Sequence, residues 1–433
     1  MKKALLFSVL SVAAIACGSS GSGTPDGGAD GGACSSAATG SLVINVTGLP
    51  AGVDANVKVT GPDGPQTVSA TKTIAPAKSG DYTLTAATVA EADPIVRKAY
   101  KATVSAASAK VCDGQSASVD VVFSLIPTSN KVWWGSENSA SDTLGYPSST
   151  LGSTGSPDAS IAASTAGTLP GAFDKDGNLW VLDATAGSVG VKRYPADTLA
   201  SGGAKTPDVV LSSDALTGGV PGPASIAFDP SGNLWVGVIY SQKVIEFDAP
   251  HLVATGSVVP KVEISNVAAP NAIAFDVKGN LWVGAGDDVV EYIVDRLAAS
   301  TSAAPDVTIT SQSPQPVVAP LTSVLGLAFT ASDDLWVNYD GTIAKIASTQ
   351  LTTATITPAV QIKADVLALP AGIAFDESCG LWMAYSAGKF CKFGAGQLAT
   401  SGSIAPEVVV TSSSVGSATS PAFFPAPAAV PLF

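Results

Sequence analysis

The sequence predicts an all-β chain in which a small β-sandwich precedes a six-bladed β-propeller. Two observations lead to this fold class. Residues 41–127 contain short alternating strands bounded by turn residues, and residues 128–433 repeat one tryptophan-centred phrase at intervals of 46 to 55 residues. Hydrophobic residues make up 46% of the 433-residue chain, which is enough to fill the cores of both regions.

The charge balance limits the partners of the chain. It carries 22 Lys and Arg residues against 35 Asp and Glu residues, which gives a net charge of −13. Nucleic-acid phosphates repel such an acidic chain, so we set nucleic-acid binding aside. The shortage of cations also argues against a polybasic membrane patch, whereas an exported protein or a cation-binding protein is compatible with it.

The N-terminus has the organisation of a bacterial export signal. Lys2 and Lys3 precede an apolar run over residues 4–15, which is too short to span a bilayer as a helix. We therefore interpret residues 1–16 as a signal peptide. The ending Ala-Ile-Ala-Cys resembles the lipobox of bacterial lipoproteins, which implies that Cys17 becomes a lipid-modified N-terminus, anchored in the outer membrane or at the cell surface. An ordinary signal peptide with an incidental cysteine is the alternative.

Four further cysteines would meet an oxidising environment after export, where pairing is expected. They are Cys34, Cys112, Cys379 and Cys391. Cys34 and Cys112 flank the first folded region, so a bond between them is the simplest prediction. Cys379 and Cys391 share one repeat, which favours a bond. Hairpin geometry argues against that bond, because a turn at 387–388 would place Cys391 opposite Ala384, several residues from Cys379.

The region before the repeats divides into a tether and a folded module. Residues 17–40 are rich in Gly and Ser and lack hydrophobic periodicity, which predicts a flexible tether. Six or so alternating runs follow, at 41–49, 55–62, 66–74, 81–89, 100–106 and 116–125. This pattern resembles the immunoglobulin-like or prealbumin-like modules of bacterial surface proteins, and it implies a β-sandwich over residues 41–127 that serves as a spacer.

The repeats are six copies of a four-strand unit. The tryptophans that mark them are Trp133, Trp180, Trp235, Trp282, Trp336 and Trp382. Before five of them lies a strand and turn of the type Ala-Phe-Asp-x-x-Gly-Asn-Leu-Trp, and a hairpin strand, a Leu-ended segment and a Pro-led strand follow. The first copy lacks the Ala-Phe strand, whereas Ala422 and Phe423 stand alone near the C-terminus. We expect this last strand to complete the first blade and close the ring.

These repeats resemble the NHL family and the related six-bladed propellers of the lactonase and streptogramin-lyase type, over roughly residues 129–433. The resemblance is specific for the architecture and says little about function, because such propellers serve many functions. It implies that the Ala-Phe strand is innermost. It also implies that the loops entering this strand share one face with the hairpin loops after each tryptophan.

The repeated phrase itself is interpreted as scaffold. Its Asp caps the turn and its Gly accepts a positive φ. Each Trp falls at one position of its blade, which predicts packing between adjacent blades rather than ligand stacking. The aspartates of the phrase are therefore expected to be structural; they are Asp174, Asp229, Asp276 and Asp376. A calcium box is the alternative, although Thr330 replaces the Asp in one copy.

Candidate ligand residues lie where the copies differ, in the hairpin loops after the tryptophans. These carboxylates, amides and tyrosines are Glu137, Asn138, Asp183, Tyr240, Asp287, Asp288, Asn338, Tyr339, Asp340 and Tyr385. Asn271 adds an amide where we align Ser225, Gly326 and Gly372 of other copies. Such oxygens suit Ca²⁺, a cationic ligand or a sugar. A solvated rim on an acidic protein is the competing interpretation.

The catalytic inventory disfavours most enzyme classes. His251 is the single histidine, at a position where the other copies carry Thr150, Thr198, Arg296, Gln350 and Gln397. This argues against a Ser-His-Asp triad and a histidine zinc site, and the resemblance to streptogramin lyases loses its expected histidine. Resemblance to calcium-dependent propeller lactonases leaves one route, in which an axial Ca²⁺ polarises an ester carbonyl. Its candidate ligands are Glu137, Asn271, Asp287 and Asp340.

The sequence therefore predicts a monomeric, lipid-anchored protein of the cell envelope. Its propeller is expected to bind a protein or glycan partner without catalysis and without a required cofactor. A calcium-dependent hydrolase or lactonase that acts at the propeller axis is the alternative.

Overall fold

The computed structural model of the chain describes residues 39–91, 98–126, 130–136, 142–147, 150–152, 155–162, 168–185, 188–217, 223–310, 323–330, 332–339, 342–352, 356–364, 372–376, 379–386, 388–414 and 418–423. These residues form 36 strands and a few helical turns of three or four residues, so the predicted all-β class is confirmed. Within these ranges, each helix is too short to cross a membrane.

The first nine strands form two sheets. The strands are β1 (Thr39–Thr47), β2 (Val57–Gly61), β3 (Gly64–Val68), β4 (Lys72–Lys78), β5 (Gly80–Thr85), β6 (Val89–Ala90), β7 (Ala99–Val104), β8 (Ser108–Val111) and β9 (Ser116–Leu125). The sheet orders are β4-β1-β9-β7-β6 and β3-β2-β5-β8. Alternate residues such as Leu42 and Ile44 on one sheet and Val57 and Val59 on the other fill a shared core. The two sheets therefore pack as a sandwich.

The run at 66–74 forms two strands rather than one. β3 ends at Val68, β4 begins at Lys72, and the two strands belong to different sheets. Thr71 fixes the crossing, because its Oγ1 accepts from Val46 N (2.9 Å) and donates to Val46 O (3.0 Å). The sequence pattern missed the crossing because small and apolar residues keep alternating through the turn.

Six further sheets lie between Lys131 and Ala422. Their strands are β10 (Lys131–Ser136), β11 (Asp142–Pro147), β12 (Ala159–Ala162), β13 (Thr168–Phe173), β14 (Leu179–Thr185), β15 (Ser188–Tyr194), β16 (Gly203–Ala204), β17 (Val209–Ser212), β18 (Pro223–Phe228), β19 (Leu234–Val238), β20 (Lys243–Phe247), β21 (Gly256–Ser257), β22 (Val262–Ser265), β23 (Pro270–Phe275), β24 (Leu281–Ala285), β25 (Asp288–Tyr292), β26 (Val307–Ile309), β27 (Val324–Phe329), β28 (Leu335–Tyr339), β29 (Thr342–Ile346), β30 (Val360–Ala364), β31 (Ile373–Phe375), β32 (Leu381–Ser386), β33 (Lys389–Phe393), β34 (Gly402–Ile404), β35 (Val408–Thr411) and β36 (Ala418–Ala422). Short helices lie at Ala196–Leu199, Asp214–Leu216, Ala249–His251, Val294–Arg296, Ser348–Gln350 and Gln397–Ala399.

We number the sheets in chain order. From the inner to the outer strand, sheets 1 to 6 are β36-β10-β11-β12, β13-β14-β15-β17, β18-β19-β20-β22, β23-β24-β25-β26, β27-β28-β29-β30 and β31-β32-β33-β35. The innermost strands contact one another in a closed cycle, from β36 through β13, β18, β23, β27 and β31 back to β36. Sheets arranged radially around a central axis define a β-propeller.

Strand β36 supplies the inner strand of sheet 1. It pairs antiparallel with β10 and places Ala422 opposite Trp133. The same Ala–Trp pair recurs in the other sheets, as at Ala227 and Trp235 of sheet 3. The last and first parts of the propeller region therefore share one sheet.

The outer edges of several sheets are covered by a segment of the following sheet. β16, β21 and β34 lie in the connections between third and fourth strands, and they pair in parallel with β12, β17 and β30 of the preceding sheet. Thr301 forms a similar bridge to Ile264 of sheet 3, and Gly155 N donates to Thr411 O of sheet 6 (3.2 Å). We call these segments the connectors. They pair backbone groups that an open sheet edge would expose.

The sandwich contacts sheet 2 at one end of its inner strand. Phe173, the last residue of β13, packs against Ala99 and Ile126. Asp176, in the turn after β13, forms an ion pair with Lys101 (2.8 Å). The sandwich therefore lies at the end of the propeller where the inner strands finish.

Candidate functional site

The propeller has two faces with different local structure. We call the face where the chain enters the inner strands the entry face; it also carries the hairpin loops 239–242 and 286–287. A hydrogen bond connects the two kinds of element: Val324 N, at the start of the inner strand β27, donates to Gly286 O in the hairpin loop 286–287 (2.8 Å). The opposite face, with the turns that follow the inner strands, is called the exit face. The sandwich contacts the exit face.

The aspartate of the repeated phrase organises the exit-face turn in sheets 2, 3, 4 and 6. Asp229 Oδ1 accepts the N–H groups of Ser231 and Asn233 (both 2.9 Å). Its Oδ2 accepts Asn233 Nδ2 (2.8 Å) and Trp235 Nε1 (3.0 Å). The carboxylate thus serves four donors of its own turn and strand. The structural role predicted for this aspartate is confirmed.

The same indole bond recurs around the ring. The Nε1 groups of Trp180, Trp282 and Trp382 donate to Asp174, Asp276 and Asp376 at 2.9, 3.2 and 2.8 Å. The sequence analysis assigned the Asp to the turn and the Trp to the core, and it missed that the two are bonded. Their constant separation of six residues was the available signal.

In sheets 2, 3 and 4 the asparagine of the phrase links the turn to the helical segment that follows the third strand. Asn233 Oδ1 accepts Ala249 N (3.0 Å), and Asn280 Oδ1 accepts Val294 N (2.9 Å). In sheet 5, Asp334 performs this task by accepting Ser348 N (3.0 Å). Thr330 Oγ1 accepts Asp334 N there (3.1 Å), which explains how one copy dispenses with the aspartate.

The tryptophans pack between neighbouring sheets, as predicted. Five of the rings contact the phenylalanine at the end of the next sheet's inner strand or, for Phe423, directly after it. The ring pairs are Trp180–Phe228 (6.0 Å), Trp235–Phe275 (5.9 Å), Trp282–Phe329 (6.0 Å), Trp336–Phe375 (6.4 Å) and Trp382–Phe423 (6.2 Å). These centroid distances are those of interacting aromatic pairs. The tryptophans therefore join the sheets.

A cavity of about 120 Å³ lies on the axis, between the inner strands. Small residues such as Ser225 and Gly372 line the cavity, together with Asn271. Pockets for drug-sized ligands usually have about 300–1,000 Å³. This cavity therefore suits an ion or a few water molecules better than an organic substrate.

Asn271 reaches the cavity because its strand carries a β-bulge. The register of β23 against β24 shifts between Pro270 and Ala272, which leaves Asn271 as the extra residue. Bulges re-aim side chains and are frequent beside functional sites. Bulges at the same place in β18 and β27 carry Ala224 and Leu325.

The strand registers correct one equivalence between copies that was taken from the sequence. Ala272, rather than Asn271, occupies the register position of Ser225 and Gly326. Asn271 is instead equivalent to the bulge residues Ala224 and Leu325, so it is the polar member among these three described bulges. The three strands carry the bulge at the same place, so it does not change their mutual alignment; the equivalence taken from the sequence was displaced by one residue.

Three predicted rim residues are buried in strands rather than exposed in loops. Asp183 lies in β14, is 3% exposed and forms an ion pair with Lys192. Asn338 and Tyr339 end β28 and are buried, and burial raises the pKa of Tyr339 to about 12. Asn338 fits inside because its cross-strand neighbour is Gly326. Their placement on a solvent-facing rim is corrected.

Other candidates lie on the entry face. Tyr240 is 56% exposed in the loop 239–242. Asp287 is exposed, and its Oδ1 accepts Ser323 N (2.8 Å), which ties the hairpin of sheet 4 to the entry of sheet 5. Asp288 begins β25 and is half-buried. The structure thus keeps Tyr240 and Asp287 at the surface where the rim was expected.

Several predicted residues cannot be placed. Glu137, Asn138, Asp340, Cys17 and Cys34 lie outside the described residues, and so does the side chain of Tyr385. The ranges given above contain no cluster of three His, Cys, Asp or Glu side chains that could hold a metal ion. Of the four candidate calcium ligands, Asn271 and Asp287 are the described ones.

The histidine and the cysteines have structural surroundings. His251 is exposed at the end of a short helix, where it contacts Asp248. Cys112 is disulfide-bonded, and its predicted partner Cys34 is not described. Neither Cys379 nor Cys391 forms a disulfide, as hairpin geometry indicated. The hairpin register differs by one residue from the expected one, because Cys391 pairs with Met383 rather than Ala384.

The residue opposite each tryptophan on the third strand differs in charge between sheets. Sheets 2, 5 and 6 place Arg193, Lys345 and Lys392 there. Lys345 and Lys392 form ion pairs with Asp334 (2.8 Å) and Asp376 (2.7 Å) on the exit face. Sheets 3 and 4 instead carry Glu246 and Glu291, which are 2% and 8% exposed. The sequence analysis did not single out this position.

Neither a scan of protein-family models nor a search of curated proteins returned a match. Among solved structures, the chain is similar to a protein of unknown function from Bacteroides caccae, with 13% identity, a TM-score of 0.46, and coverage of 69% of this chain and 98% of that one. It is also similar to a streptogramin B lyase (13% identity, TM-score 0.35, 53% and 66% coverage). A virginiamycin B lyase from Staphylococcus aureus gives 13% identity, a TM-score of 0.37, and 62% and 83% coverage.

At these TM-scores and identities the likenesses carry no argument about activity. The class of the molecule follows from its own strand order: the chain is an all-β protein with a β-propeller and a second, two-sheet region.

Proposed function

We propose that this chain is a lipoprotein of the bacterial cell envelope whose propeller binds a protein or glycan partner through the entry face. We interpret the six sheets as six blades, closed by β36, and the sandwich over residues 41–127 as an immunoglobulin-like or prealbumin-like spacer. The tether 17–40 would join this spacer to lipid on Cys17, in the outer membrane or at the cell surface.

The orientation of the two regions carries the proposal. Phe173 and Asp176 hold the sandwich at the exit face, whereas Tyr240 and Asp287 lie at the other ends of the strands. A chain anchored through its N-terminus and its sandwich would present the entry face away from the membrane. That is the face on which the repeats differ most in sequence.

Tyr240 is the most accessible aromatic contact on this face. An exposed tyrosine offers an apolar ring and a hydroxyl donor, and both protein interfaces and sugars use such side chains. Its neighbour Gln242, which is exposed, adds an amide group to the same loop. The loop 239–242 is therefore the part of the face to probe first.

Photo-cross-linking in living cells tests the binding role. A photoreactive residue replaces Tyr240, and the matched control carries it at Val259, which is 85% exposed in the connection between β20 and β22 of sheet 3. We expect one discrete adduct from position 240 and none from position 259. Protease and glycosidase digestion of the adduct distinguishes a protein partner from a glycan. Equal, diffuse labelling at both positions would contradict a specific entry-face partner.

The anchor has its own test. Cys17→Ser should abolish incorporation of labelled fatty acid and release the chain from the membrane fraction, whereas Cys379→Ser should leave both unchanged. Retention of the Cys17→Ser chain in washed membranes would refute the lipid anchor and leave the entry-face proposal standing.

One observation favours a second candidate, a calcium-dependent hydrolase of small cyclic esters. Asn271 lines the axial cavity, where an amide oxygen suits Ca²⁺. In that reading Glu137, Asp287 and Asp340 would supply further oxygens. Added Ca²⁺ should then raise the melting temperature and a chelator should lower it, by mass action on the folded state. Asn271→Ala should remove the response together with any lactone hydrolysis, and no calcium response in the parent protein would remove this candidate.

A further inference from the structure

The carboxyl groups of sheets 3 and 4 depart from the charge pattern of the ring. At the position opposite the tryptophan, sheets 2, 5 and 6 place a cation. In sheets 5 and 6 this cation pairs with a carboxylate of the exit-face turn, whereas Arg193 of sheet 2 pairs with Asp208. Sheets 3 and 4 place a glutamate at the same position, so two acidic groups share one buried turn. The two sheets that carry a glutamate are neighbours, and their exit-face turns are in contact. Gly279 in the turn of sheet 4 lies beside Pro230 in the turn of sheet 3.

The pair in sheet 4 is bridged by one amide. Asn280 Nδ2 donates to Asp276 Oδ2 and to Glu291 Oε1, both at 2.9 Å, so its two N–H groups are used. Trp282 Nε1 donates to the same Asp276 oxygen (3.2 Å). Asp276 and Glu291 are 2% and 8% exposed. Water therefore does little to separate two negative charges at this place.

The charged groups that face Glu291 come from two segments. They are Asp276 from the turn after β23, Lys278 from the same turn, and Asp306 before β26. Lys278 is directed to the solvent side, where it lies 3.9 Å from Asp333. Asp306 also forms an ion pair with Arg296 (3.1 Å), which weakens but does not remove its effect on Glu291. Burial, reinforced by Asp276 and Asp306, raises the pKa of Glu291 to about 7.

The pair in sheet 3, Asp229 and Glu246, occupies the same register positions but has a lysine beside the glutamate. Glu246 is 2% exposed, and its Oε2 has no hydrogen-bond partner among the described residues. The groups that face it are Asp229, Asp248 and Lys261, with Lys261 at 3.6 Å from Oε1. His251 contacts Asp248 at the surface. Burial raises the pKa of Glu246 despite the lysine.

We propose that sheets 3 and 4 each hold a proton on a buried carboxyl pair, so that this sector of the propeller is a pH-sensitive element of the fold. A proton on either glutamate removes the repulsion between the two acids. Loss of the proton leaves two carboxylates in one buried turn, which destabilises the contact between the exit-face turns of the two sheets.

The direction of the pH effect follows from linkage. Glu291 keeps its proton in the folded state up to a pH of about 7, whereas an unfolded glutamate releases it near pH 4.3. The folded chain binds more protons between these values, so this group stabilises the fold at low pH and loses that contribution as the pH rises through about 7.

Glutamine variants test the proposal, because glutamine has the shape of a protonated glutamate. The difference in melting temperature between Glu291→Gln and the parent should be small at pH 4.5 and should increase in favour of the variant up to pH 8. Glu246→Gln should act in the same direction, and the two effects should add. Glu263→Gln is the matched control in sheet 3: Lys243 at 2.8 Å lowers the pKa of Glu263, so this carboxylate already stabilises the parent at pH 4.5. The control variant should therefore be less stable than the parent by a margin that changes little between pH 4.5 and pH 8.

Proton release provides a second measurement. Unfolding of the parent protein at pH 6 should release about one proton more than unfolding of Glu291→Gln, as measured in two buffers of different ionisation enthalpy. Equal proton release, or a variant effect on melting that is the same at pH 4.5 and pH 8, would overturn the proposal.

Discussion

At the scale of the residue, one carboxylate explains most of the repeated phrase. In a copy such as that of sheet 2, Asp174 accepts from two backbone N–H groups, from Asn178 and from Trp180. The phrase keeps Asp and Trp six residues apart because the turn must bring the carboxylate beneath the indole. In sheet 1, Trp133 Nε1 is buried without an acceptor among the described residues, and Phe424 occupies the sequence position of the aspartate.

We expect Asp174→Ala to lower the free energy of unfolding by about 2–3 kcal/mol, because a buried indole N–H and the turn amides lose a charged acceptor. Thr330→Ala, at the equivalent position of sheet 5, removes one hydroxyl acceptor and should cost about 1 kcal/mol. Denaturant unfolding measures both values. Equal losses at the two sites would contradict a special role of the carboxylate.

At the scale of the element, the connectors explain the role of a Ser or Thr that follows the third strand in several copies. A hydroxyl just before or at the connector accepts a backbone N–H from the outer strand of the preceding sheet. The bonds are Thr255 Oγ1 with Val210 N (3.0 Å), Ser300 Oγ with Glu263 N (3.0 Å) and Ser401 Oγ with Gln361 N (3.1 Å). In these three copies, the Ser or Thr that lies three residues after the leucine of the Leu-ended segment therefore has a backbone partner. The local sequence indicated only a loop there.

Removing these hydroxyls should loosen the outer edges. We expect Thr255→Ala, Ser300→Ala and Ser401→Ala each to cost about 0.5–1.5 kcal/mol, and the triple variant to lose their sum because the sites lie in different sheets. Amide hydrogen exchange should accelerate at Val210, Glu263 and Gln361. Val253→Ala, on an exposed side chain of the same connection, is the control. Unchanged protection of the three amides would refute the role of the connectors.

At the scale of the whole molecule, a small contact sets the orientation of the two regions. Ile126 is 3% exposed and packs with Ala99 and Phe173, while Lys101 and Asp176 form the adjacent ion pair. The ion pair is partly solvated and contributes little to stability. The apolar contact therefore decides whether the sandwich stays at the exit face.

Ile126→Asp should uncouple the sandwich from the propeller, since it puts a charge into this contact. Calorimetry should then resolve two unfolding transitions with a wider separation than in the parent protein. Val122→Asp, which changes an exposed residue of β9, should leave the separation unchanged. The same response from both variants would show that the contact at Ile126 does not couple the regions.

The sequence by itself determined the repeat, the all-β class and the scaffold role of the aspartates and tryptophans. It could do so because turn chemistry and strand alternation act between near neighbours. Tertiary structure decided the rest: the bulge that directs Asn271 to the axis, the burial of Asp183, Asn338 and Tyr339, and the carboxyl pairs of sheets 3 and 4. These features depend on which strand lies opposite and on how far water is excluded, and residues distant in sequence control both.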